Sequence, residues 1–392
     1  MTQTLTARRL ITDIGSIEYP FLTIAPDGTI ADISSDPSIR DTTTLTAAFL
    51  DIHTHGAKGH DVMSASPSDL ADLQRFLATR GVANYLPTTV TAPIDATLRS
   101  LEALANAIES APREGEAQPI GIHLEGPFLS HAKRGVHPPD LLQPPTIALF
   151  DRFQTAARGH IKLLTLAPEP HATTPPSGPW ALDPGASPLD LIRHATAQGV
   201  RISLGHSNAT ADQTLAAIDA GATSATHTFN AMRPLDHREP GILDTVLDDH
   251  RLYAELICDG IHVAPPLVRL WLNAKGRDRA ILVTDAMSAA GMTDGNYTLA
   301  GLAVTVANGR ASLADHPDTL AGSVLTMDAA VANLQLFTQT PLADATRAAS
   351  HTPAAMLGQP QQTRLNPGAP ANLNRFDEHG NLIATYIRGR QV

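Results

Sequence analysis

Asp51–Ile52–His53–Thr54–His55–Gly56 follows an apolar run that begins near Leu45. Alternate residues of an extended strand project to one side. His53 and His55 therefore share a face, and both imidazoles can reach one metal ion at the strand's end. Alone, the pair is as compatible with two half-exposed histidines as with metal ligands. What decides the reading is that further ligand-type residues close later apolar runs. Glu125 closes Gly121–Glu125, His206 closes Ser203–His206, His227 closes Ala225–His227 and Asp285 closes Leu282–Asp285.

Working outward, short β-like runs end near Asp51, Thr89, Glu125, Ala167, His206, Thr228, Cys258 and Asp285. Helix-like segments separate most of them. Leu70, Leu73 and Leu77 recur at helical spacing after Ser66–Pro67, and Gly81 stops them. Leu98, Leu101, Leu104 and Ile108 form a second stripe. Ser187–Pro188 opens a third helix that Gly199 ends, and Thr210–Ala220 is a fourth, closed by Gly221. Alternating β/α units in this number predict an α/β protein with a (β/α)₈ barrel. Residues 8–40 and Asn374–Val392 read instead as short strands joined by turns such as Ala25–Pro26–Asp27–Gly28. Both ends are expected to meet in one small β-sandwich. The division is then 1–46 and 359–392 for that β-domain and 47–358 for the catalytic barrel. Asn296–Leu313, with Asn308–Gly309 as a turn, is expected as an inserted hairpin. Ser323–Phe337 and Leu342–Leu357 are expected as closing helices, and the Pro-rich patches Pro138–Pro145 and Ala167–Pro184 as surface loops.

Composition narrows the classes. The 392 residues carry a net charge of −11, which disfavours nucleic acid or an anionic membrane as principal partner. A local basic cluster can still serve an anionic small molecule, because screening acts over about 8 Å. Aromatics are only 4%, so the core must rest on Leu, Ile, Val and Ala. The single cysteine, Cys258, lies in an apolar run and excludes an intrachain disulfide. No stretch approaches the ~20 apolar residues of a membrane span, and Met1–Arg9 has no apolar leader. A cytoplasmic protein is expected.

Taken singly, each candidate ligand has an ordinary structural reading: a capping Asp, a hydrogen-bonded core His, a salt-bridged Glu. Barrel active sites, however, gather residues from the C-terminal ends of several strands. Placed there together, His53, His55, Glu125, His206, His227 and Asp285 predict a metal centre. Imidazoles and a carboxylate suit zinc first, with iron(II), manganese or cobalt as alternatives. An open metal position lowers the pKa of water from 15.7 to about 7. Asp285, alone after the last strand, is then the expected proton shuttle.

The chain resembles the amidohydrolase superfamily and, within it, the N-acetylglucosamine-6-phosphate deacetylase family. The resemblance rests on His123–Phe128, Lys133–His137, Gly205–Ala209, Thr226–Met232, Arg238–Gly241, Asp259–Val263, Thr284–Met287 and Leu320–Ser323. It runs from about residue 47 to 358. It implies that Glu125, His206 and His227 bind the principal metal, and that His53 and His55 can hold a second ion bridged by Glu125. One or two ions per chain are therefore expected. It also implies that His137 hydrogen-bonds the acetyl carbonyl, and that Arg238, His262, Asn230 and Ala231 take the sugar phosphate. The phosphate pocket would be completed across a homodimer interface.

Leu320–Ala321–Gly322 is expected against the sugar, with Val136, Asp259 and Gly260 in the same cavity. Met287 is left open between core and pocket wall. Lys133 and Arg134 read as a solvated pair, and His60, His123, His131 and His237 as supporting or surface residues. The implied reaction removes the acetyl group of N-acetyl-D-glucosamine 6-phosphate, giving D-glucosamine 6-phosphate and acetate. The alternatives are the galactosamine epimer of that substrate, another amidohydrolase, or a non-catalytic sugar-phosphate sensor.

Overall fold

The structure is a computed structural model and describes residues 3–169 and 187–392. Of the patch Ala167–Pro184, the part from residue 170 onward lies outside the described residues.

Eight parallel strands form the barrel: β1 Phe49–Thr54, β2 Val82–Thr89, β3 Ile122–Glu125, β4 Ile161–Leu166, β5 Arg201–Leu204, β6 Ser224–Ala225, β7 Tyr253–Ile257 and β8 Ala280–Val283. Each pairs with its successor in sequence order. Closure runs from β8 back to β1 through Asp285 N–H on the His53 carbonyl (2.9 Å) and His55 N–H on the Ala286 carbonyl (2.7 Å). Every residue of β1, β2, β3 and β8 is buried. A parallel sheet covered by helices demands this, and it explains why the strands read as apolar runs rather than alternations.

The surrounding helices are α1 Pro67–Thr79, α2 Ile94–Glu109, α3 Ile147–Ala156, α4 Pro188–Ala197, α5 Ala211–Ala220, α6 Ile242–Asp248, α7 Pro265–Lys275 and α8 Met327–Thr338. Local chemistry sets their ends. Ser66 and Asp69 form a reciprocal capping box ahead of Pro67 in α1, and Thr210 and Gln213 do the same for α5. The apolar stripe of α1, Leu70, Leu73 and Leu77, faces the barrel core.

Two expected elements take a different form. The insertion after β8 is a three-stranded antiparallel sheet, Gly295–Leu299, Leu302–Ala307 and Arg310–Leu313, not a two-stranded hairpin. Ala300–Gly301 makes the additional turn, between the first two of these strands, with φ of 48° and 85°. Asp61 anchors this sheet to the barrel rim by accepting from the Ala300 amide at 2.6 Å. Met287 is buried beneath it and belongs to the core. The helix expected over Leu342–Leu357 is two, Leu342–Ala348 and His351–Met356. Pro353 has no N–H for the Ala349 carbonyl, and that carbonyl accepts instead from Leu50 N–H of β1 at 2.9 Å.

Both chain ends build a β-sandwich. Thr44–Ala47 pairs antiparallel with Leu373–Phe376, joining N- and C-terminal strands in one six-stranded sheet. It packs on the sheet of Gln3–Thr6, Pro20–Ile24 and Ile30–Ser35 through Leu5, Leu10, Leu22, Ile30, Leu45 and Leu373. Among the described residues no helix is long and apolar enough to cross a membrane.

Candidate metal centre

The C-terminal rim of the barrel brings His53, His55, Glu125, His206, His227 and Asp285 to one buried point. β1 carries His53 on its last turn of chain and His55 just beyond, and β3 ends on Glu125. The other three each lie two residues past their strands, in left-handed backbone: His206 at φ 48°, His227 at 28° and Asp285 at 50°. Such conformations are costly for residues with a Cβ and persist where the surroundings impose them. Here they turn the side chain from the barrel wall toward its axis. Gly205 permits the turn before His206, since a Cβ there would meet Thr226 Cβ at 2.7 Å.

Glu125 divides the cluster. Its Oε2 lies 3.2 Å from His55 Nε2 and 3.5 Å from His53 Nε2. Its Oε1 lies 3.3 Å from both His206 Nε2 and His227 Nε2. Asp285 Oδ1 stands on the first side, 3.0 Å from His55 Nε2.

The protons of three imidazoles are fixed from behind. His55 Nδ1–H donates to the Thr88 carbonyl (2.9 Å), His206 Nδ1–H to the Lys133 carbonyl (3.0 Å), and His53 Nδ1–H to the Glu255 carboxylate (3.2 Å). Each neutral ring therefore aims an Nε2 lone pair at its neighbours. The Nε2 pairs His53/His55 and His206/His227 are 3.3 and 3.0 Å apart, and buried Glu125 Oε1 has no hydrogen-bond donor. Facing lone pairs and an orphaned carboxylate oxygen repel unless a cation lies among them. Ligands about 2.0–2.1 Å from a tetrahedral ion stand roughly 3.4 Å apart, so the donor set fits a divalent metal. Protons compete for the same atoms: burial opposes it, yet Asp285 and Glu125 push His55 up to about 9. Burial likewise raises Asp285, but His53 and His55 outweigh it and hold the carboxyl well below its ordinary range.

His137 differs from the others. The Thr91 amide donates to its Nδ1 at 3.3 Å, and the Thr91 hydroxyl lies 2.8 Å from the same nitrogen. The proton therefore sits on Nε2, which faces Glu125 Oε2 from 3.9 Å. Burial, then neighbouring His206, keeps His137 below its usual pKa and hence neutral. It is a neutral donor aimed into the site.

A cavity of about 390 Å³ opens over the cluster. Val136, His137, Asn230, Ala231, His262, Leu320 and Gly322 line it. His262 Nδ1–H donates to Asp259 at 2.6 Å, which leaves Nε2 for the cavity. Asp259 thus stands behind His262, and Gly260 packs toward Phe337. Ala321 is buried under the inserted sheet, while Gly322 (φ 60°) lies where a Cβ would meet the Asp285 carbonyl at 3.0 Å. Arg238 is exposed on the 233–240 loop and does not line the cavity of its own chain.

Several contributors escaped the reading of the sequence. Glu255 is a carboxylate buried in mid-strand β7, and its place inside Tyr253–Ile257 was the available signal. Thr91 carries no such mark. Val90, Leu299, Asp318 and Thr319 also line the cavity. Lys133 does too, and Arg134 donates to the His137 carbonyl at 3.1 Å, so this pair supports the loop as well as meeting solvent. His123 is buried behind His53, and His60 faces Asp69 and Asp72 outside the cavity. Cys258 is buried, and burial pushes its thiol up to about 12.

Known proteins resemble this chain in sequence and fold. Residues 44–392 match the Amidohydrolase family. An N-acetylgalactosamine-6-phosphate deacetylase of Escherichia coli O157:H7 is 39% identical, over 100% of this chain and 99% of that protein. An N-acetylglucosamine-6-phosphate deacetylase of Bacillus subtilis (strain 168) is 36% identical, over 88% of this chain and 83% of that protein. Among solved structures, a mutant N-acetyl-D-glucosamine-6-phosphate deacetylase from Mycobacterium smegmatis, in complex with N-acetyl-D-glucosamine-6-phosphate, matches with a TM-score of 0.89. It is 34% identical, covering 100% of this chain and 99% of that one.

Proposed function

The chain belongs to the amidohydrolase family, and on that premise we propose that it hydrolyses the acetamide of N-acetyl-D-glucosamine 6-phosphate to D-glucosamine 6-phosphate and acetate. One observation carries the reading. Four histidines and Glu125 converge beside Asp285 and a neutral Nε2–H of His137, at the floor of a cavity whose wall includes His262 and Asn230.

Glu125, His206 and His227 would hold one divalent cation, and His53 and His55, sharing Glu125, a second; zinc is the first choice. Such a cation supplies Lewis acidity, polarising the acetyl carbonyl and bringing the deprotonation of water near neutral pH. The chain's own groups do the rest. Asp285, ionised beside His55, takes the proton of the attacking water. His137 Nε2–H donates to the carbonyl oxygen as negative charge grows there. Asp285 then returns its proton to the leaving amine nitrogen.

Arg238 would act in trans. Its guanidinium has no side-chain partner among the described residues and is exposed. In a homodimer it could grip the phosphate in the partner's cavity in a bidentate manner, beside His262, Asn230 and Ala231. Arg238→Ala is expected to lower kcat/KM about 10²-fold on the phosphorylated sugar and little on plain N-acetylglucosamine, measured by acetate release. Equal loss on both would remove the clamp. A cytoplasmic location goes with this intermediate-metabolite substrate.

The galactosamine epimer is the second reading, favoured by the 39% identical relative matched along the whole chain. Comparing kcat/KM on the two 6-phosphates decides between them, and absence of acetate release from either would refute the deacetylase assignment.

A further inference from the structure

Beneath the metal ligands the barrel interior is polar, where packed layers of Val, Ile and Leu are the rule. Thr88, His123, Thr165, Ser203, Thr226 and Glu255, contributed by or immediately adjoining six successive strands, have no exposed surface. They form one connected chain of contacts, in which Thr226 comes before Ser203. Thr88 Oγ1 lies 3.3 Å from His123 Nδ1, and His123 Nε2 lies 2.7 Å from Thr165 Oγ1. Thr165 Oγ1 is 2.7 Å from Thr226 Oγ1, which is 2.7 Å from Ser203 Oγ. Ser203 Oγ reaches Glu255 Oε1 over the longest link, 3.5 Å. The other oxygen, Glu255 Oε2, accepts from His53 Nδ1 at 3.2 Å and from the His227 amide at 3.4 Å.

Each hydroxyl has one proton, and that orients the belt. A carboxylate only accepts, so Ser203 donates to Glu255. Ser203 must then accept from Thr226, Thr226 from Thr165, and Thr165 from His123 Nε2–H. His123 Nδ1 is left to accept from Thr88, whose hydroxyl has the Leu86 carbonyl at 3.1 Å as a second acceptor. All donors between β2 and β7 thus point one way, toward Glu255.

We propose that this belt is a positioning device with Glu255 as its end stop. It holds the carboxylate where His53 must keep its proton on Nδ1 and present Nε2 to the centre. Glu255 and Thr226 are then positioning residues for the half of the site built by His53 and His55. The proposal rests on the two-cation reading above. It extends to the barrel floor the rule that partners behind a ligating histidine set its tautomer and aim, and that their loss costs about 10–100-fold in metal affinity.

The test is calorimetric titration of chelator-treated protein with Co²⁺, with the visible spectrum of the bound ion followed in parallel. Wild type is expected to take two equivalents. Glu255→Gln turns an amide N–H toward one of two donors, and should weaken one equivalent about 10–100-fold while the other keeps its affinity and spectrum. Thr226→Val, equal in shape but without the hydroxyl, should weaken the same equivalent about 10-fold, and Thr226→Ser should restore it. A merely structural role would not separate Val from Ser at equal folded content. Two equivalents bound alike in wild type, Glu255→Gln and Thr226→Val overturn the proposal, as does a single equivalent in wild type. No binding by wild type at all overturns the metal reading itself.

Discussion

Asp285→Asn is expected to give a folded, cation-loaded protein whose turnover is lower by about 10²–10⁴, the range for losing a general acid–base group. Asn keeps the shape and one oxygen near His55, where Asp285 Oδ1 now lies at 3.0 Å. It can neither accept the water proton nor return one to the amine. Ligation should survive, because Glu125 is no partner of Asp285 and three of the imidazoles take their aim from elsewhere: His55, His206 and His53 are held from behind by Thr88, Lys133 and Glu255. The check is acetate release at saturating substrate, together with elemental analysis. Turnover within a few fold of wild type would remove Asp285 from the proton transfers. Loss of the metal along with activity would make it a ligand instead.

Glu125→Gln should do more damage by another route. The carboxylate serves both halves of the cluster, Oε1 toward His206 and His227 and Oε2 toward His53 and His55. An amide supplies one oxygen and puts N–H groups where the other half needs an acceptor. Bound metal is expected to fall below one equivalent per chain. Acetate release should fall more than about 10³-fold, since water without a cation reverts toward a pKa of 15.7. The fold should persist, because the apolar core packed between the strands and the surrounding helices does not include Glu125. Full metal content in this variant would contradict the bridging role.

The fold was legible because the barrel repeats one instruction. A buried run stops at a polar residue and a capped helix follows, as at Ser66–Asp69 and Thr210–Gln213. That these side chains would gather was legible for the same reason: His53, Glu125, His206, His227 and Asp285 are the polar residues at which the runs stop. What the pattern hid is three-dimensional. The left-handed backbone at His206, His227 and Asp285 has no local signature in residues other than glycine. Thr165, Ser203 and Thr226 pass as ordinary strand residues until their hydroxyls are seen touching. Asp259 resembles a cavity residue in sequence, yet it faces His262 from behind. The inserted sheet was read one strand short because Ala300–Gly301 is a weaker turn signal than Asn308–Gly309. The break before His351 follows from Pro353, whose effect falls four residues upstream at Ala349.

The most direct measurement is acetate release from N-acetyl-D-glucosamine 6-phosphate by protein stripped with a chelator, dialysed, and then titrated with Zn²⁺ or Co²⁺. Expected is loss of activity on stripping and its return in step with the equivalents of metal bound. Undiminished deacetylation by demonstrably metal-free protein would contradict a hydrolase built on His53, His55, Glu125, His206 and His227.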